Sequence, residues 1–141
     1  MLKRKDLQNE WEEIVSKGSL KYYSLSKNER VWFNLESIAN EGLIDHYTNY
    51  GAERNSDLIE DLDYLGLIEI GNLFKKTNNL FFKNKPPKNI DKRNDEIYNW
   101  SSNNKIIFEE NEKSFWEKVD VLEKNLLKHI NESILNQELK K

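Results

Sequence analysis

The chain has 141 residues, 22 Lys and Arg against 25 Asp and Glu for a net charge of −3, and no cysteine. Disulfides and thiolate metal sites are therefore excluded, and the charge balance gives no global attraction to nucleic acid. The length suits one domain that buries about two-thirds of its unfolded surface. Four Trp, six Tyr and six Phe supply large side chains for that core.

The basic start, Lys3, Arg4 and Lys5, is followed by no apolar run, so a signal peptide is not expected. No stretch approaches the roughly 18 apolar residues of a membrane span. The expectation is a cytoplasmic protein without a cofactor.

In chain order, Leu7, Trp11, Ile14 and Val15 recur at helical spacing, which predicts a first helix over 3–17 with Gly18 as its C-terminal cap. Residues 19–25 read as a connector packed on the core, with extended backbone as one option. Ser26 and Glu29 form a capping-box pair before a helix that buries Val31 or Trp32, Leu35, Ile38 and Ala39. Leu43, Ile44 and Tyr47 continue the rhythm, and Asn49-Tyr50-Gly51 is a stop signal. Another helix starts at Asn55 or Ser56 and carries Leu58, Ile59, Leu62, Leu65 and Ile68. Gly66 and Gly71 interrupt this run, so two short helices are expected.

Residues 77–89, with Pro86 and Pro87, read as the longest loop. A short helix over 93–100 follows, then a loop at 101–104 and an apolar triplet, Ile106 to Phe108, whose type periodicity leaves open. Phe115, Val119, Leu122, Leu126 and Ile130 predict one long helix over 112–137 of roughly 40 Å. There is no internal repeat. The fold class is all-α: one domain of five to seven helices, with an N-terminal helix and connector over 1–25, a core over 26–137 and a tail over 138–141.

The chemistry is sparse. Asp45 and His46 are adjacent, and neighbouring helical residues point about 100° apart, so they would not address one substrate atom together. His129 lies far away in the last helix, and two distant histidines do not make a metal site. No nucleophile, phosphate-loop, metalloprotease or dinucleotide motif is present. A non-catalytic protein is expected, with neither catalytic nor metal nor cofactor residues. The alternative is a small ligand-binding or enzymatic pocket formed by Asp45, His46, Tyr47 and Asn49.

Charge is unevenly distributed. Asp57, Glu60, Asp61 and Asp63 share one short helix, with Glu53 before and Glu69 after. A second acidic stretch runs from Glu109 to Glu123. Seven cations, Lys75, Lys76, Lys83, Lys85, Lys88, Lys92 and Arg93, surround the proline loop. Solvated faces are the plain reading. The functional one is an acidic face, chiefly Asp57, Glu60, Asp61 and Asp63, that meets another protein. Phe74, Phe81 and Phe82 read as core, so direct nucleic-acid binding is not expected.

The segment Asn40-Glu41-Gly42-Leu43-Ile44-Asp45-His46-Tyr47-Thr48-Asn49-Tyr50-Gly51 concentrates aromatics, amides and glycine after an amphipathic helix. It resembles the core motif of the DNA-mimic protein family, a bacterial helical family whose usual form opens N-G-G-F-x-Q-Y-F-x-N. Gly42 matches the second glycine, Leu43 the Phe, Asp45 the Gln, His46 the Tyr, Tyr47 the Phe and Asn49 the Asn. Leu35 to Ile38 is similar to the family's preceding helix, and Leu58 to Leu67 to the next one. The departures are Glu41 for Gly, Leu43 for Phe and Asp45-His46 for Gln-Tyr.

The resemblance implies a helical corner in which Asn40, Gly42, Tyr47, Asn49 and Gly51 are structural. It also implies a regulatory protein that engages a basic, DNA-binding protein, with a homodimer as an option. The named member occupies a transcription factor's DNA site with a strongly acidic dimer surface, and −3 is far weaker. An immunity protein that neutralises a toxin is the remaining alternative.

Overall fold

The computed structural model describes residues 3–135. Six α-helices and no strand occur among them: α1 (Gln8–Leu20), α2 (Lys27–Thr48), α3 (Asn55–Tyr64), α4 (Ile68–Asn78), α5 (Ile90–Tyr98) and α6 (Ser102–His129). The all-α expectation holds. Single 3₁₀ turns at Arg4–Leu7, Tyr22–Ser24, Ala52–Arg54 and Phe82–Asn84 join or extend them, and a π-helical turn, Ile130–Leu135, continues α6.

The long helices α2 and α6 form the central pair, α4 packs along α6, and α3 closes against α2 and α4. Their shared core contains Trp32, Leu35, Leu43 and Tyr47 from α2, Leu62 from α3, Phe74 from α4, and Phe115, Leu122 and Leu126 from α6, all fully buried. Each such Leu or Phe contributes about 1.5–3 kcal/mol on leaving water.

Ser26 caps α2 as its sequence requires: its hydroxyl accepts the Glu29 amide at 3.2 Å, and the Glu29 carboxylate accepts the Ser26 amide at 2.9 Å. The break between α3 and α4 falls at Gly66, whose φ is +73°. Gly71, by contrast, lies buried inside α4.

Several local expectations are corrected. Gly18 does not cap α1, which continues to Leu20. A Cβ at Gly18 would lie 2.5 Å from the Phe33 ring, so this glycine serves close helix–helix approach. The connector after α1 is a 3₁₀ turn, not a strand. Ser101 does not belong to a loop: its hydroxyl accepts the Asn104 amide at 3.1 Å and starts α6 ten residues earlier than its apolar stripe suggested. The triplet Ile106 to Phe108 is therefore helical, and Phe108 extends the buried stripe. Helix α5 begins at Ile90 behind an Asn89 cap, and Trp100 lies beyond its end. The expected end of the last helix at Gln137 and the tail at 138–141 lie outside the described residues.

Candidate functional site: the Gly42 corner and two charged faces

Helix α2 is two helices in one. Gly42 has φ 92° and ψ −178°, far from helical values, so the axis bends there and the turn from Leu43 onward has its own N-terminus. The Glu112 carboxylate from α6 caps that terminus. It accepts the Leu43 amide at 2.8 Å and reaches the Ile44 amide at 3.4 Å. A carboxylate suits this place because exposed N–H groups and the helix dipole both favour negative charge. A Cβ on Gly42 would lie 2.5 Å from Glu112 Oε1 and 2.7 Å from Trp116 Cζ2. Conformation and space both demand glycine.

The residues after the bend are fastened internally. Tyr47 is fully buried, and its hydroxyl donates toward Phe74 O at 3.0 Å and Asn78 Oδ1 at 2.7 Å. Burial drives its ionisation far above the usual tyrosine range. His46 Nε2 donates to Asn55 Oδ1 at 2.9 Å, and desolvation pushes this histidine down to about 4, so it stays neutral. Asn55 is thereby diverted from capping α3, whose start carries no side-chain cap. Gly51, with φ +140°, turns the chain beside the ring, and a Cβ there would lie 2.7 Å from His46 Nδ1.

Asn49 ends α2 and donates a side-chain hydrogen bond to Asp45. Asn40 is exposed and binds Arg4 Nη2 at 3.0 Å, so it tethers the N-terminal turn and takes no part in the corner.

Arg93 was counted among the surface cations, yet it is fully buried. Its guanidinium donates to the carbonyls of Tyr47 (2.6 Å), Asn49 (2.6 Å), Pro87 (2.9 Å) and Lys88 (3.2 Å). Asn94 adds a bond to Thr48 O at 2.9 Å. Helix α5 thus satisfies the carbonyls that α2 leaves unpaired at its end. Burial pulls Arg93 below its ordinary value, opposed by Glu53 at 3.8 Å. Nothing in the sequence separates Arg93 from the lysines around it, except that Arg alone can fork to several carbonyls.

Three of the four acidic residues of α3 make ion pairs within the fold. The Asp61 side chain is wholly buried and accepts from Arg30 Nη2 at 2.6 Å, Lys27 Nζ at 3.0 Å and Asn34 Nδ2 at 2.9 Å. Asp61 therefore fastens α3 to α2 from inside the fold. Glu60 is paired with Lys27 at 2.8 Å and Arg30 at 3.3 Å, and Lys27 chiefly holds its carboxyl below the ordinary value. Asp57 accepts the Tyr22 hydroxyl at 2.9 Å. Burial, opposed by Asn34 and helped by Asp57, pushes the Tyr22 hydroxyl up to about 12. Of the four expected surface acids, only Asp63 is exposed and outside an ion pair among the described residues.

Two features remain open. A cavity of about 140 Å³ beside the corner is lined by Asn34, Asp45, His46, Tyr50 and Arg54 among others. On the far side, two adjoining grooves between the α3–α4 turn and α6 share Asn125. Tyr64, Ile68 and Val121 stand there 56%, 50% and 56% exposed. The exposed acids Asp63, Glu69 and Asp120 are their chain neighbours, and Lys118 and Lys128 line the grooves.

Among the described residues no cluster of three or more His, Cys, Asp or Glu could hold a metal, and no helix is long and apolar enough to cross a membrane. The family model described as DMP19-like protein matches residues 24–133, which include α2 to α6 and the whole Gly42 corner. Neither curated proteins nor solved structures yield a match to the chain.

Proposed function

The chain belongs to the DMP19-like protein family, and from that premise we propose that it is a non-catalytic regulatory protein that binds a basic, DNA-binding protein. The binding surface is the face between the α3–α4 turn and α6. The observation that carries this reading is the exposed trio Tyr64, Ile68 and Val121 around adjoining grooves. Apolar side chains surrounded by charge are the anatomy of a protein interface, with a water-excluding centre and a polar rim.

Asp63, Glu69 and Asp120 supply the acidic part of that rim. This replaces the α3 cluster as the contact surface, because Asp61 is buried and Asp57 and Glu60 share the cations Lys27 and Arg30 with it within the fold. The polar groups of the Gly42 corner are likewise engaged: His46 with Asn55, Tyr47 with Phe74 and Asn78, and Glu112 with two amides. That supports a structural corner and a non-catalytic protein.

The test is capture of a partner by the tagged chain from its native host, with Asp63→Lys/Glu69→Lys and Ile68→Glu/Val121→Glu as comparisons. The reading expects a basic partner that both double variants lose and that weakens with salt, since screening shortens from about 10 Å at 0.1 M to about 3 Å at 1 M. A partner retained by both variants would overturn it. A toxin as the captured partner would make the chain an immunity protein acting through the same face.

A second reading, a small-ligand site, is favoured by the cavity beside His46, where Arg54 Nε is buried without a hydrogen-bond partner. Binding of a small metabolite abolished by Arg54→Gln, with folding intact, would establish it. Thermal-shift screening that finds no stabilising compound would remove it.

A further inference from the structure

The end of the molecule opposite in charge to the acidic rim has a second surface, built on the loop between α4 and α5. Lys75, Lys76, Lys83, Lys85, Lys88 and Lys92 are all exposed, and none makes an ion pair within the described residues. Asp91 is the only acid between positions 75 and 92, and Asp95 and Glu96 follow on α5.

Two large aromatics are exposed, one on this loop and one at the end of α5. Phe82, expected in the core, is 75% exposed, and Tyr98 is 79% exposed. A lysine ammonium lies over each ring, Lys83 at 5.4 Å from Phe82 and Lys105 at 5.5 Å from Tyr98.

The presentation of Phe82 is enforced. Its neighbour Phe81 is buried and packs on Trp100 with ring centroids 4.8 Å apart, which turns Phe82 the other way. The Phe82 amide donates to Glu96 Oε2 at 2.9 Å, which ties the loop to the helix bearing Tyr98. Lys83 and Asn84 take φ values of +55° and +60°, uncommon for a lysine and tolerated by an asparagine. Arg93, from below, holds the carbonyls of Pro87 and Lys88. The loop fastened in this way presents an apolar ring to water among cations.

We propose that this surface binds single-stranded nucleic acid, with Phe82 and Tyr98 as stacking platforms and the lysines as phosphate contacts. Lysines alone would serve any polyanion. Exposed rings interleaved with them add a face on which an unpaired base stacks, and every base has one. The bases of a duplex are already stacked and unavailable. The surface is separate from the α3–α4–α6 face, so this inference stands or falls independently of the protein-binding reading.

The probe is a fluorescein-labelled 12-mer of deoxythymidine, titrated with the full chain and followed by anisotropy at several salt concentrations. Affinity should fall with salt at a log–log slope of about −0.7 per phosphate neutralised. Phe82→Ala and Tyr98→Ala should each weaken binding about fivefold or more, within the range of one lost base stack. Lys85→Glu with Lys88→Glu should reduce the salt slope.

Both rings are exposed, so the aromatic variants should melt with the parent, which separates lost binding from lost folding. A uridine 12-mer tells whether RNA binds as DNA does, and either preference supports the proposal. Three results would overturn it: no binding at about 50 mM salt, aromatic variants that bind unchanged while polyglutamate competes equally, or a 12-bp duplex bound more tightly than the single strand. The second would mark the surface as one for acidic proteins.

Discussion

Replacing Gly42 by Ala probes the corner most directly. The Gly42 backbone, at φ 92° and ψ −178°, lies where only glycine rests without strain. Holding an L-residue there costs about 1–3 kcal/mol. The added Cβ would meet Glu112 Oε1 at 2.5 Å and Trp116 Cζ2 at 2.7 Å, and relieving such overpacking costs a further 1–3 kcal/mol, roughly. A loss of about 2–6 kcal/mol is expected in all.

Unfolding entropy near 2.1 cal/mol/K per residue makes each kcal/mol worth about 3 °C in a chain of this length, so the melting temperature should fall by about 6–18 °C. Urea titration with an unchanged m-value would establish that stability alone has changed. Glu112→Ala removes one of the two clashing groups, so Gly42→Ala should cost at least about 1 kcal/mol less in that background. A loss below about 1 kcal/mol for Gly42→Ala, or strict additivity with Glu112→Ala, would refute the account of the bend.

Other predictions concern the ionisable groups. Asp61→Asn should destabilise by about 2–4 kcal/mol, somewhat under the full penalty for a broken buried pair because Lys27 and Arg30 keep some solvent contact and Glu60. The exposed Asp63→Lys should stay within about 0.5 kcal/mol. Equal effects of the two in urea unfolding would contradict their different placement. His46 is held near 4 in the fold against 6.5 for the free group. Between these values the unfolded chain binds more protons, so stability is complete above pH 6.5 and declines as pH falls toward 4. The decline attributable to this group is about 3 kcal/mol, at 1.36 kcal/mol per pH unit. His46→Gln should flatten the pH dependence of the urea midpoint in that window, and an unchanged slope would show that another group governs it.

Local pattern made much of the fold legible. Ser26 and Glu29 marked the start of α2, Gly66 marked the break between α3 and α4, and the stripe from Phe115 to Ile130 marked α6. The signals that failed were residues with two possible roles. Gly18 can end a helix or let a ring approach it, and only the position of Phe33 decides. Ser101 in a Ser-Ser-Asn-Asn run can begin a helix or sit in a loop, because the first turn it caps is exposed and carries no apolar periodicity.

The site was less legible for the same reason. Periodicity marks α3 as helical but does not say that Arg30, one helix earlier, reaches Asp61. Arg93 among lysines, and Phe82 beside Phe81, change meaning only when long-range packing assigns one inward and the other outward. The capping of Leu43 by Glu112 joins positions 69 residues apart, beyond any local pattern.

Site-specific photocrosslinking in the native host tests the proposed binding face most directly. A photoreactive phenylalanine analogue at Val121 reports on the groove between α4 and α6, and one at Leu20, 85% exposed on α1, serves as the comparison. The account predicts a discrete crosslinked product at Val121 alone, containing a basic DNA-binding protein and lost in the Asp63→Lys/Glu69→Lys background. Identical products from both positions, or none from Val121 while Leu20 captures a partner, would contradict it.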